Sequence, residues 1–155
     1  MRIAIMPMFY PPTIGSGPIL MKEFTSFLAE RGHNVTVITT QPEEEIYRKG
    51  LFNIERNDNH TVIRTWTYLS KKGPKRLLSW SHYSVNAMLV SLTNEKFDLV
   101  FLRSPPPTLA ITGYILRGLK DIPFVFNVQD IHPDLAITSG ILTNPYLIKK
   151  DISYR

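Results

Sequence analysis

The first forty residues, MRIAIMPMFYPPTIGSGPILMKEFTSFLAERGHNVTVITT (Met1–Thr40), decide the fold. Ile3-Ala4-Ile5-Met6 is a short apolar run stopped by Pro7, the pattern of a strand buried on both faces of a parallel sheet. Pro11-Pro12-Thr13-Ile14-Gly15-Ser16-Gly17-Pro18 is dense in turn formers. Leu20, Phe24, Phe27 and Leu28 then recur at helical spacing as far as Arg31-Gly32, a basic last turn with a glycine stop. Val35-Thr36-Val37-Ile38-Thr39 is β-branched throughout and reads as a second strand. Strand, helix and strand in this order form a βαβ unit, whose crossover is nearly always right-handed.

Outward from this unit the alternation continues. Residues 41–60 are polar and ambiguous. Thr61 to Tyr68 alternates well enough for a third strand carrying Val62, Ile63, Trp66 and Tyr68. The basic segment Lys71-Lys72-Gly73-Pro74-Lys75-Arg76 separates it from a helix over about 77–93. Phe97 to Leu102 reads as a buried strand closed by Ser104-Pro105-Pro106-Pro107. A helix over about 108–119 leads to Pro123 and a strand from Phe124 to Val128. Asn144-Pro145 reads as an N-cap with proline at the first helical position, and the helix it opens meets no stop signal before Arg155, so a fragment is expected. Five strands alternating with helices predict an α/β fold, a doubly wound parallel sheet. Ligands of such sheets bind beyond the carboxyl ends of the strands, here the loops after Met6, Thr39, Leu102 and Val128.

The 155 residues suit one domain, and 43% apolar with 20% charged residues is a globular composition. The absence of cysteine excludes a disulfide scaffold, a thiolate nucleophile and any Cys-ligated metal. A net charge of +5 suits anionic partners. No apolar run approaches membrane-spanning length. Pro7, Pro11 and Pro12 interrupt the amino terminus and no small-residue cleavage site follows, unlike a signal peptide. A cytoplasmic protein is expected, with membrane contact only from the surface.

Three loops offer chemistry. Gly15-Ser16-Gly17 precedes a helix, where glycines let backbone N–H groups approach a phosphate. It is a poor dinucleotide fingerprint: the loop is long, Leu20 replaces the third glycine, and the second strand ends in Thr39-Thr40-Gln41 without an acidic residue. That weakens an NAD-dependent oxidoreductase. Gln129-Asp130-Ile131-His132-Pro133-Asp134 crowds carboxylates, an imidazole and an amide at the ligand edge, where Asp130 would orient a hydroxyl or take its proton and His132 would bind substrate; the plainer alternative has Asp130 capping a turn. Ser104 could contact a ligand or simply turn the chain. His33, His60 and His82 lack metal-ligand spacing, and no metal site is expected. Lys71, Lys72, Lys75 and Arg76, followed by Leu77, Leu78, Trp80 and Tyr83, suit an anionic membrane interface or an ordinary solvated loop and core-facing helix. Nucleic acid lacks any recognisable binding motif.

Several segments, in order, resemble the amino-terminal domain of a family 4 (group 1) glycosyltransferase with the GT-B fold. They are Phe9-Tyr10-Pro11-Pro12 through Gly15-Ser16-Gly17-Pro18, Leu28 to Thr40 with its R-G-H-x-V-T-V-I-T run, Ser104-Pro105-Pro106-Pro107, and Pro123 to Asp134. The Q-D-x-x-P run at Gln129 is similar to the subgroup that builds surface polysaccharides and O-antigens. The resemblance implies a Rossmann-like half of a two-domain enzyme. Such an enzyme transfers a sugar from a nucleotide-sugar donor to a glycan or lipid-linked acceptor, with retention at the anomeric carbon and without a metal ion or other cofactor. Residues 1–155 would be the acceptor-side domain; the carboxy-terminal donor domain with its E-x7-E segment is missing, so the isolated chain should be inactive. Gly15, Ser16 and Gly17 would approach donor diphosphate or acceptor. Gln129 stands where many members carry a histidine that touches the donor sugar, and Asp130 matches the acidic residue beside it. Glutamine can hydrogen-bond a hydroxyl but cannot exchange a proton. The competing expectation is a stand-alone nucleotide- or sugar-binding regulatory module without catalysis.

Overall fold

A computed structural model describes residues 1–42, 50–70, 73–94 and 96–129. The expected helix from Asn144, together with Asp130 and His132, lies outside the described residues. Strand β1 (Arg2–Met6) leads through a long loop to helix α1 (Ser16–Glu30) and strand β2 (Asn34–Thr40). Strands β3 (Phe52–Asn57) and β4 (His60–Thr65) follow, then α2 (Gly73–Thr93), β5 (Leu99–Arg103), α3 (Leu109–Lys120) and β6 (Phe124–Asn127). They form one six-stranded sheet in the order β3-β4-β2-β1-β5-β6.

All pairings are parallel except β3 with β4. From β1 the chain moves outward to β2 and β4, then returns to β5 on the other flank of β1. The sheet therefore has its topological switch point between β1 and β5, where Met6 stands opposite Leu102.

Side-chain alternation builds two cores. Ile3 and Ile5 of β1, Val35 and Val37 of β2 and Val62 of β4 face α1, where Met21, Phe24 and Leu28 meet them. Ala4 and Met6, Ile38 and Ile63, and Val100 and Leu102 face the opposite way, against Tyr83 and Ala87 of α2 and Leu109 and Leu116 of α3. The order is helix, sheet, helices, as expected for a doubly wound sheet. Helix α3 lies close on the sheet because Gly113 has no side chain: a Cβ there would come within 2.6 Å of Leu102 and 2.8 Å of Phe124.

Strand β3 is the element the sequence did not declare. It is an edge strand, exposed along most of its length, so it needs no apolar face to be stable and its composition stays polar. The turn Asn57-Asp58-Asn59 carries it antiparallel onto β4. The third strand expected to reach Tyr68 stops at Thr65, where the backbone N–H of Gln41 caps the Thr65 carbonyl at 2.9 Å and that of Trp66 turns to Leu51 at 2.9 Å.

Candidate functional site

The alternation that builds the cores also places an arginine. Phe101 of β5 packs on the α1 side, and Arg103, two residues on, projects to that same side. Its guanidinium lies against the start of α1: a Cβ on Gly17 would stand 2.9 Å from Arg103 Nη2 and 3.0 Å from Nη1. Glycine at 17 is what lets the two approach. Arg103 Nε is buried without a hydrogen-bond partner, and no carboxylate among the described residues pairs with the side chain.

The helix end beside it is equally open. Gly15, at φ 151° and ψ 161°, occupies the N-cap position and offers no side chain to bond the first-turn N–H groups. No acidic residue occupies that turn, although one would favour the positive end of the helix dipole. Ser16 is exposed, and Gly15 and Gly17 are half-buried. Among the described residues, a guanidinium with no carboxylate partner and a helix start with no side-chain cap thus meet at the switch point. This is the electrostatic form of an anion site.

The remaining sequence-predicted residues divide. Ser104 is buried at the end of β5, 3% exposed, and its N–H donates to the Asn127 carbonyl at 2.9 Å. Gln129 is exposed just past β6, its Nε2 donating to Asn127 Oδ1 at 3.1 Å. The β5–β6 register sets Arg103 opposite Asn127, so Arg103, Ser104 and Gln129 share one edge of the sheet with the Gly15–Gly17 loop. Sequence reasoning missed Arg103. Its signal was a lone cation closing the apolar run Leu99-Val100-Phe101-Leu102, at the strand end where ligands bind.

A cavity of about 230 Å³ opens beside this edge, lined by Phe9, Pro12, Thr13, Ile14, Gln41 and Leu69 among others. Its walls are mainly apolar, and Ile14 is 94% exposed. Gln41 is buried, with Nε2 donating to the Gly50 carbonyl at 3.0 Å and Oε1 without a partner among the described residues. Apolar walls with one amide oxygen suit the C–H face and hydroxyls of a sugar ring.

The other candidates scatter. His60 Nε2 and Tyr10 Oη are 3.2 Å apart, and burial lowers the His60 pKa. His82 Nδ1 accepts the Tyr68 N–H at 3.0 Å. No group of three metal-ligating side chains occurs among the described residues. In the basic aromatic stretch Tyr83 is fully buried and donates to the Ile38 carbonyl at 2.8 Å, so it belongs to the core rather than to an interface. Lys75, Arg76, Leu77 and Leu78 are exposed, and Arg76 sits 4.8 Å over the Trp80 ring. No helix among the described residues is long and apolar enough to cross a membrane.

The fold defines a Rossmann-like α/β domain, with a candidate anion site at its switch point. The model of Glycosyltransferase Family 4 matches residues 19–148, and the chain belongs to that family. The matched span begins just after the glycine loop and includes Arg103, Ser104 and Gln129. Among solved structures, the chain is similar to the C-terminal domain of a hydrogenase from Pyrococcus furiosus at 16% identity and a TM-score of 0.50, covering 81% of this chain and 89% of that one. That likeness concerns the fold alone. No curated protein matches.

Proposed function

We propose that this chain is the acceptor-side half of a retaining glycosyltransferase, which moves a sugar from a nucleotide-sugar donor to a glycan or lipid-linked acceptor. The observation that carries the reading is Arg103, a guanidinium with no carboxylate partner among the described residues, held against Gly17 at the start of α1. In sugar transfer the bond from the anomeric carbon to the diphosphate oxygen breaks, and negative charge grows on the departing diphosphate. The acceptor oxygen bonds to that carbon and gives up its proton, which the departing phosphate oxygen can accept. A fixed cation and helix N–H groups aimed at that charge stabilise the transition state more than the ground state. An acceptor phosphate would meet the same groups. The apolar cavity beside Phe9 and Ile14 takes the acceptor ring.

Gln129 hydrogen-bonds a sugar hydroxyl and Asp130 is the catalytic carboxylate, roles that follow the family resemblance, as do retention and independence from metal ions; Ser104 and His132 bind substrate, by their position and chemistry. The exposed Lys75, Arg76, Leu77 and Leu78 suit an anionic lipid surface beside the acceptor. The isolated chain is inactive in this reading because a second domain must hold the nucleotide. The test is transfer of labelled sugar from a panel of nucleotide-sugars to lipid extracts. The intact protein should transfer and Asp130→Ala should lose turnover with its circular dichroism unchanged. Robust turnover by residues 1–155 alone would refute the half-enzyme reading.

A further inference from the structure

The loop from Pro7 to Gly15 is too long to be a tight turn, yet it must hold the start of α1 against Arg103. It is tied down at three points. The Met8 carbonyl accepts the Thr40 N–H at 3.2 Å and the hydroxyls of Thr39 and Thr40 at 3.1 and 2.7 Å. The buried Tyr10 places its hydroxyl 2.8 Å from Thr25 Oγ1 on α1 and 3.2 Å from His60 Nε2 on β4. The third tie is an arginine from β4, on the same face of the sheet as α1. Arg64 of β4 is only 4% exposed, and its Nη2 donates to the Pro11 carbonyl at 2.5 Å while Nε donates to Glu55 Oε1 at 2.7 Å.

A buried guanidinium is a costly way to hold two strands. Its Nη1 has no hydrogen-bond partner, and an apolar residue of similar volume would serve the fold nearly as well. What an apolar residue cannot do is donate to Pro11. Glu55, about half exposed, fixes the plane of the fork from the neighbouring strand, so Nη2 reaches the loop in one orientation. Lysine has no such fork: its ammonium is a point charge with rotatable N–H groups, so pairing with Glu55 would not fix the direction of a bond to Pro11.

We propose that Arg64 is a positioning residue that, braced by Glu55, anchors the loop at Pro11 and so sets where Gly15, Ser16 and Gly17 meet the ligand at Arg103. Arg64 itself touches no substrate. Its effect on sugar transfer rests on the glycosyltransferase reading; the anchoring does not.

The experiment is amide hydrogen exchange on wild type, Arg64→Met and Arg64→Lys, without any sugar present. The reporters are the N–H groups of Thr13 and Ile19, which bond the Tyr10 and Gly15 carbonyls. In Arg64→Met both should exchange about tenfold faster while the amides of β1 and β5 keep their protection. Arg64→Lys, still carrying a donor, should fall between. Unchanged exchange at Thr13 and Ile19 overturns the proposal. So does acceleration spread equally over the sheet, or the failure of both variants to fold, since either makes Arg64 a general structural residue. If the reporters respond but the intact protein transfers no sugar, the transferase reading fails and the anchor stands.

Discussion

The two ends of the sheet treat their arginines in opposite ways. At the amino end Arg2 is satisfied by Asp98: its backbone N–H donates to Oδ2 at 2.7 Å, and its guanidinium Nη2 lies 3.5 Å from Oδ1. That contact holds the Asp98 carboxyl below its ordinary pKa, chiefly through the backbone hydrogen bond. At the carboxyl end Arg103 has a buried Nε with no partner among the described residues, and the helix terminus beside it has no side-chain cap. One arginine closes the fold and the other is left open. Among the described residues no carboxylate faces Arg103; partly desolvating such a cation disfavours folding, and a bound anion would offset that cost.

Breaking the open end should have the largest effect. In the proposed transfer Arg103→Met removes the cation that would meet the departing phosphate, and turnover of the intact protein should fall about 100-fold, as for loss of an oxyanion-type donor. Thermal stability should hold or rise. A variant that loses stability and keeps turnover would make Arg103 a second Arg2. Gly113→Ala is the packing control. Its Cβ would press on Leu102 and Phe124, costing about 1–3 kcal/mol in denaturant unfolding, without altering anion affinity beyond what unfolding explains.

Gly17→Ala separates contact from stability at the open end itself. The added methyl group must push the Arg103 guanidinium aside, and turnover should drop about tenfold, near 1.4 kcal/mol of transition-state energy. Asp98→Asn should have the smallest effect, because that pair is exposed to water. Its sign is fixed by linkage: a carboxyl whose folded pKa is depressed stabilises above its unfolded value and loses that contribution as pH falls through the folded one. The thermal midpoint of Asp98→Asn should therefore lie slightly below wild type at about pH 6 and converge on it as pH falls through the lowered carboxyl pKa. A gap that persists in acid would mean that geometry, not charge, holds the closed end.

The closed parts of the molecule were the legible ones. Parallel strands buried on two faces need unbroken apolar runs, so Ile3–Met6 and Val35–Thr39 are visible in the letters, and Gly32 marks where α1 stops. The edge strand β3 was not legible, because a strand with one face in water carries no obligatory pattern and Asn57-Asp58-Asn59 reads equally as loop. The glycine loop was found, since glycines before a helix advertise a close approach. What approaches was not found: Arg103 lies 86 residues later in the chain, and only the β1–β5 pairing brings it to Gly17. The same holds for Arg64 and Pro11, joined by the register of β4. Tyr83 left two readings open because a buried tyrosine and an interfacial one differ only in what faces them; Ile38 faces this one, as the core-facing alternative expects.

The central claim is that the open end binds a phosphate-bearing ligand through Arg103 and the start of α1. Its most direct test is a titration of residues 1–155 with inorganic pyrophosphate at millimolar concentration, followed by NMR at the Ser16 and Gly17 amides and at the Arg103 Nε–H. The account predicts saturable shifts at all three groups in wild type, and loss of the Ser16 and Gly17 shifts in Arg103→Met. Identical titrations of the two proteins, or shifts confined to the surface lysines, would contradict it.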